Sequence, residues 1–99
     1  MNYLKLLKDD FIPNNYVTTA GAMFYYISTY PLKNAGLLFK KEIHSYDCIY
    51  FYKDSTFLTI HHFIDNKTHY EKIRLTLLKS RLQSEFFTKN IQNNQLNLF

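Results

Sequence analysis

Aromatic and basic side chains recur at alternate positions within the segment 50–74. Aromatic rings stack on nucleobases and cations bind phosphates, so this mixture suits a surface that binds single-stranded nucleic acid. The candidate residues are Tyr50, Tyr52, His61, Tyr70, Lys72 and Arg74. The alternative is that a helix or a second copy of the chain covers the same face, with the tyrosine hydroxyl groups reaching solvent.

The histidines of this segment do not make a metal site by themselves. His61 and His62 are adjacent on a predicted strand and therefore point to opposite faces. His62 and His69 can face each other across a hairpin, but no cysteine or carboxylate cluster completes a tetrahedral site. We predict no metal, no cofactor and no catalytic residue, because phosphate-loop, nucleophile-elbow and paired-carboxylate motifs are also missing from the sequence.

Two helices are predicted before the strands. The first covers residues 2–10 and ends before Pro13. The second begins after an N-cap at Asn14 or Asn15 and ends at Pro31. Its core-facing side is a stripe at helical spacing, formed by Tyr16, Ala20, Met23, Phe24 and Ile27.

The middle of the chain predicts a small antiparallel meander. Strands are expected over 38–44, 48–53, 56–64 and 68–74, with turns at 34–36, at 45–47, at Asp54-Ser55 and around Asn66-Lys67. Pairing Lys53 with Thr56 places Phe51 beside Leu58 and Ile49 beside Ile60, on a face that covers the helices. A helix over about 75–91, with a Leu75, Leu78, Leu82 and Phe86 stripe, completes an α+β fold.

The composition indicates one small domain, which we expect to span 1–91. The chain has 99 residues, 46% of them hydrophobic, and only two Gly and two Pro. Its net charge of +4 is a mild bias toward nucleic acid. The single Cys48 excludes an internal disulfide and fits the cytoplasm. Charges from Lys5 to Asp10 interrupt the first apolar stretch, so we predict neither a signal peptide nor a membrane span.

Residues 92–99 are predicted to form a flexible tail. Leu96, Leu98 and Phe99 follow the polar run 92–94, and apolar side chains gathered at an exposed terminus are typical of a partner site. Gln95-Leu96-Asn97-Leu98-Phe99 resembles the peptide with which bacterial replication and repair proteins bind the DNA sliding clamp, the β subunit of DNA polymerase III.

The resemblance implies a role for each tail residue. Leu98 and Phe99 fill a deep pocket of the clamp, Leu96 fills a shallower site, and Gln95 hydrogen-bonds the rim. Asn97 lies at a tolerant position. The run 92–94 spans roughly 10 Å when extended, so the domain is expected to lie close against the clamp. The alternative is that the three apolar side chains fold back onto the domain.

These patterns predict a non-enzymatic, sliding-clamp-binding accessory or regulatory protein of bacterial DNA replication or repair. Abundant Lys, Asn, Ile, Tyr and Phe suggest an AT-rich genome and therefore a phage or mobile element. The globular domain is expected to bind DNA or another replication protein. One alternative is an inhibitor that blocks the clamp.

Two further alternatives involve nucleic acid alone. One is a single-stranded nucleic-acid-binding module without clamp binding. The other is an enzyme, because a histidine beside Tyr70, Lys72 and Arg74 is compatible with acid–base cleavage of RNA. The helices-then-meander order and basic charge are loosely similar to ribonuclease toxins of the RelE class, although the leading strand of that class is missing and arginine is scarce.

Overall fold

Residues 1–32 and 35–87 are described by the computed structural model of the chain. They form a four-stranded antiparallel sheet together with helices, which confirms the α+β class. Part of the predicted turn at 34–36, the end of the predicted C-terminal helix and the tail 92–99 lie outside the described residues. The chain divides into two compact units, one formed by Met1–Thr29 with the described residues from Leu77, the other by Tyr30–Thr76.

The sheet follows the order of its strands along the chain. Its strands are β1 (Leu37–His44), β2 (Asp47–Lys53), β3 (Phe57–Ile64) and β4 (Lys67–Arg74), and each pairs antiparallel with the next. All four lie within one residue of the predicted bounds, because their β-branched and aromatic residues suit a pleated surface. Gly36 precedes β1, and a Cβ there would lie 2.8 Å from the Lys53 carbonyl oxygen.

The predicted register of the β2–β3 hairpin is wrong by two residues. Lys53 pairs with Leu58 rather than Thr56, and Phe51 pairs with Ile60. The cause is Asp54, whose carboxylate accepts the backbone N–H groups of Thr56 and Phe57, each at 2.7 Å. This Asx-type arrangement moves the turn one residue along the chain. Because side chains alternate with a period of two, a two-residue shift leaves the composition of each face unchanged.

The β3–β4 turn also differs from the prediction, since it consists of Asp65 and Asn66 and Lys67 already belongs to β4. Both turn residues have positive φ, at 49° and 64°. Asp and Asn tolerate this left-handed conformation, and two such residues match the twist of a hairpin. The turn therefore ends β3 sharply at Ile64.

The first helical segment nearly matches the predicted residues 2–10, whereas the second helix begins later than predicted. Helix α1 (Tyr3–Leu6) continues as a π-helical turn over Leu7–Phe11, and a 3₁₀ turn covers Asn14–Tyr16. Helix α2 (Ala20–Thr29) is capped by Thr19, whose hydroxyl accepts the N–H of Ala22 at 3.0 Å, and not by an asparagine. Helix α3 (Leu75–Leu82) is followed by a π-helical turn over Gln83–Phe87.

Burial separates the predicted stripes into core and surface residues. Ala20, Met23 and Ile27 are buried as predicted, whereas Tyr16 is exposed because it precedes α2. In the C-terminal stripe Leu78 and Leu82 are buried. Within 1–32 and 35–87, no helix has both the length and the apolar character needed to cross a membrane.

Candidate nucleic-acid interface

The sheet places all six predicted nucleic-acid-binding residues on one face. Tyr50 pairs with His61 across β2 and β3, and His61 pairs with Tyr70 across β3 and β4. Two residues further along β2, Tyr52 pairs with Thr59 on β3, and Thr59 pairs with Lys72 on β4. Arg74 pairs with Phe57 at the end of the sheet. We call this surface the aromatic face, and its further members are Lys40, Glu42, Cys48, Phe57, Thr59, Phe63 and Thr68.

The rings of the aromatic face contact one another in a continuous network. Tyr50 and Tyr52 lie nearly parallel with centroids 6.2 Å apart, and Tyr52 meets His61 edge to face at 5.4 Å. His61 meets Tyr70 edge to face at 4.9 Å. These contacts fix the orientation of the rings. Tyr70 is nevertheless 57% exposed and Phe63 42% exposed, so ring surface remains accessible to a ligand.

Two cations gather at the Phe57 end of the face. Lys72 Nζ lies 4.6 Å and Arg74 Cζ 5.3 Å from the centroid of the Phe57 ring. Both side chains are exposed, and a cation held over a ring keeps its charge available to an anion. The geometry therefore combines stacking surface with positive charge, as single-strand binding requires.

A third cation, Lys40, lies beside the opposite edge of the aromatic network. Its Nζ is 5.4 Å from the Tyr50 ring centroid and 2.9 Å from Glu42 Oε1. The hydrogen bond and charge of Glu42 raise the pKa of Lys40, so the ammonium stays protonated at neutral pH. Because Glu42 already offsets its charge, Lys40 attracts phosphate less than Lys72 or Arg74.

The opposite face of the sheet is buried along β2 and β3. Ile49, Phe51, Leu58 and Ile60 are at most 1% exposed, in agreement with the predicted alternation. Lys53 shares this face, where burial lowers the pKa of its ammonium group and its Nζ donates to the Tyr30 carbonyl oxygen at 3.2 Å.

Sequence reasoning missed a buried polar pair on that face. His62 Nε2 lies 2.5 Å from Asp47 Oδ1, and both residues are buried. The sequence prediction placed Asp47 in a turn, although it has the same parity along the strand as Ile49 and Phe51, which was the available signal. His44 Nε2 lies 3.8 Å from Asp47 Oδ2, and His69 faces His62 across the β3–β4 hairpin with ring centroids 6.1 Å apart.

These groups do not form a metal site in the part of the chain that the structure describes. No three His, Cys, Asp or Glu side chains there are arranged to hold a metal ion. The predicted clamp-binding residues Gln95, Leu96, Leu98 and Phe99 lie outside the described residues. No protein-family model, curated protein or solved structure matches the chain.

Proposed function

We propose that this protein is a non-enzymatic accessory or regulatory factor of bacterial DNA replication or repair, encoded by a phage or mobile element. It binds the DNA sliding clamp through the tail and single-stranded nucleic acid through the aromatic face. The clamp assignment is supported by the sequence of residues 95–99 alone. The nucleic-acid assignment is supported by one structural observation: exposed rings and two exposed cations share one sheet face.

Binding at the aromatic face follows from the chemistry of its residues. Every base has a π-face that stacks on a tyrosine or histidine ring, so binding tolerates different sequences. Lys72 and Arg74 neutralise phosphates of the same strand and release counterions, which makes the affinity dependent on salt. In known RNA-binding modules with a four-stranded sheet, aromatic residues on the sheet stack two or three bases, and we expect a similar number here.

Clamp binding by the tail would bring the nucleic-acid-binding face close to DNA. Three residues, 92–94, separate the predicted end of the last helix from the clamp-binding motif and span roughly 10 Å. A domain held this close to the clamp meets the DNA that leaves the clamp at high effective concentration. The proposed role is therefore to bind single-stranded DNA where the clamp is working.

The clamp assignment is tested by titrating the full chain against purified bacterial clamp. Phe99→Ala removes a main anchor and is expected to weaken binding at least roughly 30-fold. Asn97→Ala is the matched control, because the resemblance places Asn97 at a tolerant position, and it should leave Kd unchanged. If the full chain shows no binding, or if deletion of 95–99 changes nothing, the clamp assignment is wrong.

The nucleic-acid assignment is tested by the fluorescence anisotropy of a labelled oligothymidylate. Tyr70→Ala removes a stacking ring and is expected to weaken binding roughly 5- to 150-fold. Tyr25→Ala is the control, because Tyr25 is a comparably exposed tyrosine that belongs to α2 and not to a strand of the sheet. Equal losses in the two variants, or no binding by the unmodified chain, would reject the aromatic face as the interface.

A further inference from the structure

One end of the aromatic face forms an open concavity of about 640 Å³. It lies between the β1–β2 turn, with Ser45 and Tyr46, and the β3–β4 turn, with Asn66. Across its floor Cys48 pairs with Phe63, and Phe63 with Thr68. Its volume falls within the range of sites that hold a small organic group.

The lining of the concavity combines flat apolar walls with a few polar groups. Tyr50 and Phe63 meet edge to face at 5.6 Å, and both line the concavity. Ser45, Asn66 and Thr68 supply hydroxyl and amide groups, which both donate and accept hydrogen bonds. A planar ring with donors and acceptors around its edge matches this lining, and a nucleobase is such a ring.

The charges on the sheet place the base and the phosphates at different ends. Glu42 pairs with Cys48 across β1 and β2, and its carboxylate and the Lys40 ammonium group, 2.9 Å apart, offset each other's charge. Lys67 is the one cation among the lining residues. Lys72 and Arg74 surround Phe57, six residues along β3 from Phe63 and therefore roughly 20 Å away.

We infer that the concavity receives one unstacked base of the bound strand, while the sugar–phosphate backbone runs along the sheet toward Lys72 and Arg74. This inference rests on the proposed nucleic-acid-binding function. It adds to that function a base-binding pocket and a fixed direction of the strand across the sheet. The uncharged base occupies the concavity, and the phosphates occupy the end where Lys72 and Arg74 lie together over the Phe57 ring.

The test uses Cys48 as a reporter, because it is the single cysteine of the chain and lines the concavity. Its alkylation by a maleimide is followed in the unmodified full chain, with and without hexathymidylate. At an oligonucleotide concentration about ten times Kd, occupancy of the concavity is expected to slow alkylation about tenfold. Anisotropy on the same samples reports whether the strand is bound.

Hexathymidylates that carry one abasic site, at each position in turn, then identify the inserted base. At one position the missing base is expected to weaken binding roughly 5- to 150-fold and to restore rapid alkylation at saturation. Abasic sites at the remaining positions should leave Cys48 protected once binding is saturated. This pattern would assign the position of the strand that enters the concavity.

The possible failures are distinguishable. If anisotropy shows saturated binding while Cys48 reacts at its free rate, the strand bypasses the concavity and the inference is wrong, although the aromatic face remains the interface. Equal protection by every abasic oligonucleotide also overturns it, because the strand then covers the concavity without inserting a base. If the unmodified chain binds no oligonucleotide, the proposed nucleic-acid function fails and the pocket fails with it.

Discussion

On β2 the side chains of Ile49 and Phe51 are fully buried, whereas Tyr50 and Tyr52 on the opposite face remain partly exposed. The two faces also differ in the partners of their polar side chains. On the buried face, the side chains of Asp47 and His62 form a hydrogen bond with each other. Lys72 and Arg74 on the aromatic face contact a ring and leave their charges accessible to solvent.

The two faces of the sheet have separable roles. In the part of the chain that the structure describes, no fully buried side-chain nitrogen or oxygen lacks a hydrogen-bond partner. The buried face therefore needs no ligand to complete its bonding, and its residues determine stability. The aromatic face holds stacking surface and charge that folding leaves available, so its residues should determine binding.

The largest difference between the two faces is expected when one ring on each face is truncated. Phe51→Ala removes a fully buried side chain and should lower the free energy of unfolding by about 3–5 kcal/mol. Tyr70→Ala, on the aromatic face, should lower it by less than about 1 kcal/mol. Urea denaturation followed by circular dichroism measures both values. Similar losses in the two variants would show that the aromatic face also belongs to the core.

A second test compares a carboxylate on each face. Asp47→Ala deprives buried His62 of its carboxylate partner and should cost about 1–3 kcal/mol of unfolding free energy. Glu42→Ala breaks only the exposed ion pair with Lys40 and should change stability by less than about 1 kcal/mol. The same denaturation experiment applies, and a larger loss in Glu42→Ala would contradict the assignment of the faces.

The charge on the aromatic face is measured by the salt dependence of oligonucleotide binding. Lys72→Ala removes one phosphate contact and should reduce the slope of log K against log salt concentration by about 0.7. Lys79→Ala, an exposed lysine on α3, should leave the slope unchanged. Identical slopes in Lys72→Ala and the unmodified chain would place the phosphates elsewhere.

The smallest expected effect concerns the turn that sets the register of both faces. Hydrogen bonds from the backbone N–H groups of Phe57 and Thr56 lower the pKa of Asp54. Its stabilising contribution is therefore complete above the unfolded-state pKa of about 3.9 and is lost as pH falls through the lower folded-state pKa.

Asp54→Ala should consequently lower the melting temperature at neutral pH, and the difference from the unmodified chain should shrink toward about pH 2.5. Ser55→Ala, one position along the same turn, is the control and should show no pH-dependent difference. Thermal melts over this pH range measure the effect. A constant difference for Asp54→Ala would mean that the ionised carboxylate does not hold the turn.

The composition of each face could be predicted from the sequence, because alternation along a strand depends only on a period of two. The six candidate nucleic-acid-binding residues accordingly lie together on one face. The register could not be predicted, because it depends on whether Asp54 accepts hydrogen bonds from Thr56 and Phe57. The pattern of hydrophobic residues is the same in both registers, so it carries no information about this choice.

Three further features of the structure could not be predicted from the sequence: the N-cap of α2, the buried polar pair and the concavity. Asn14, Asn15 and Thr19 are all acceptable N-caps, and only the folded backbone shows that Thr19 caps α2. The pair of Asp47 and His62 is diagonal, because Asp47 pairs with Ile64 and Ile49 with His62. Such a diagonal pair can be predicted only when the strand register is known. The concavity likewise depends on where the two turns end.

The order of the strands has a consequence for how the protein folds. Each strand pairs with its neighbour in sequence, so every pairing closes only a short loop and the conformational entropy lost in closure is small. Sheets with such local contacts fold faster than sheets that join distant segments. We therefore expect the hairpins to form early and in succession. The stretch from Lys40 to Arg74 would then assemble the aromatic face from one uninterrupted segment of the chain.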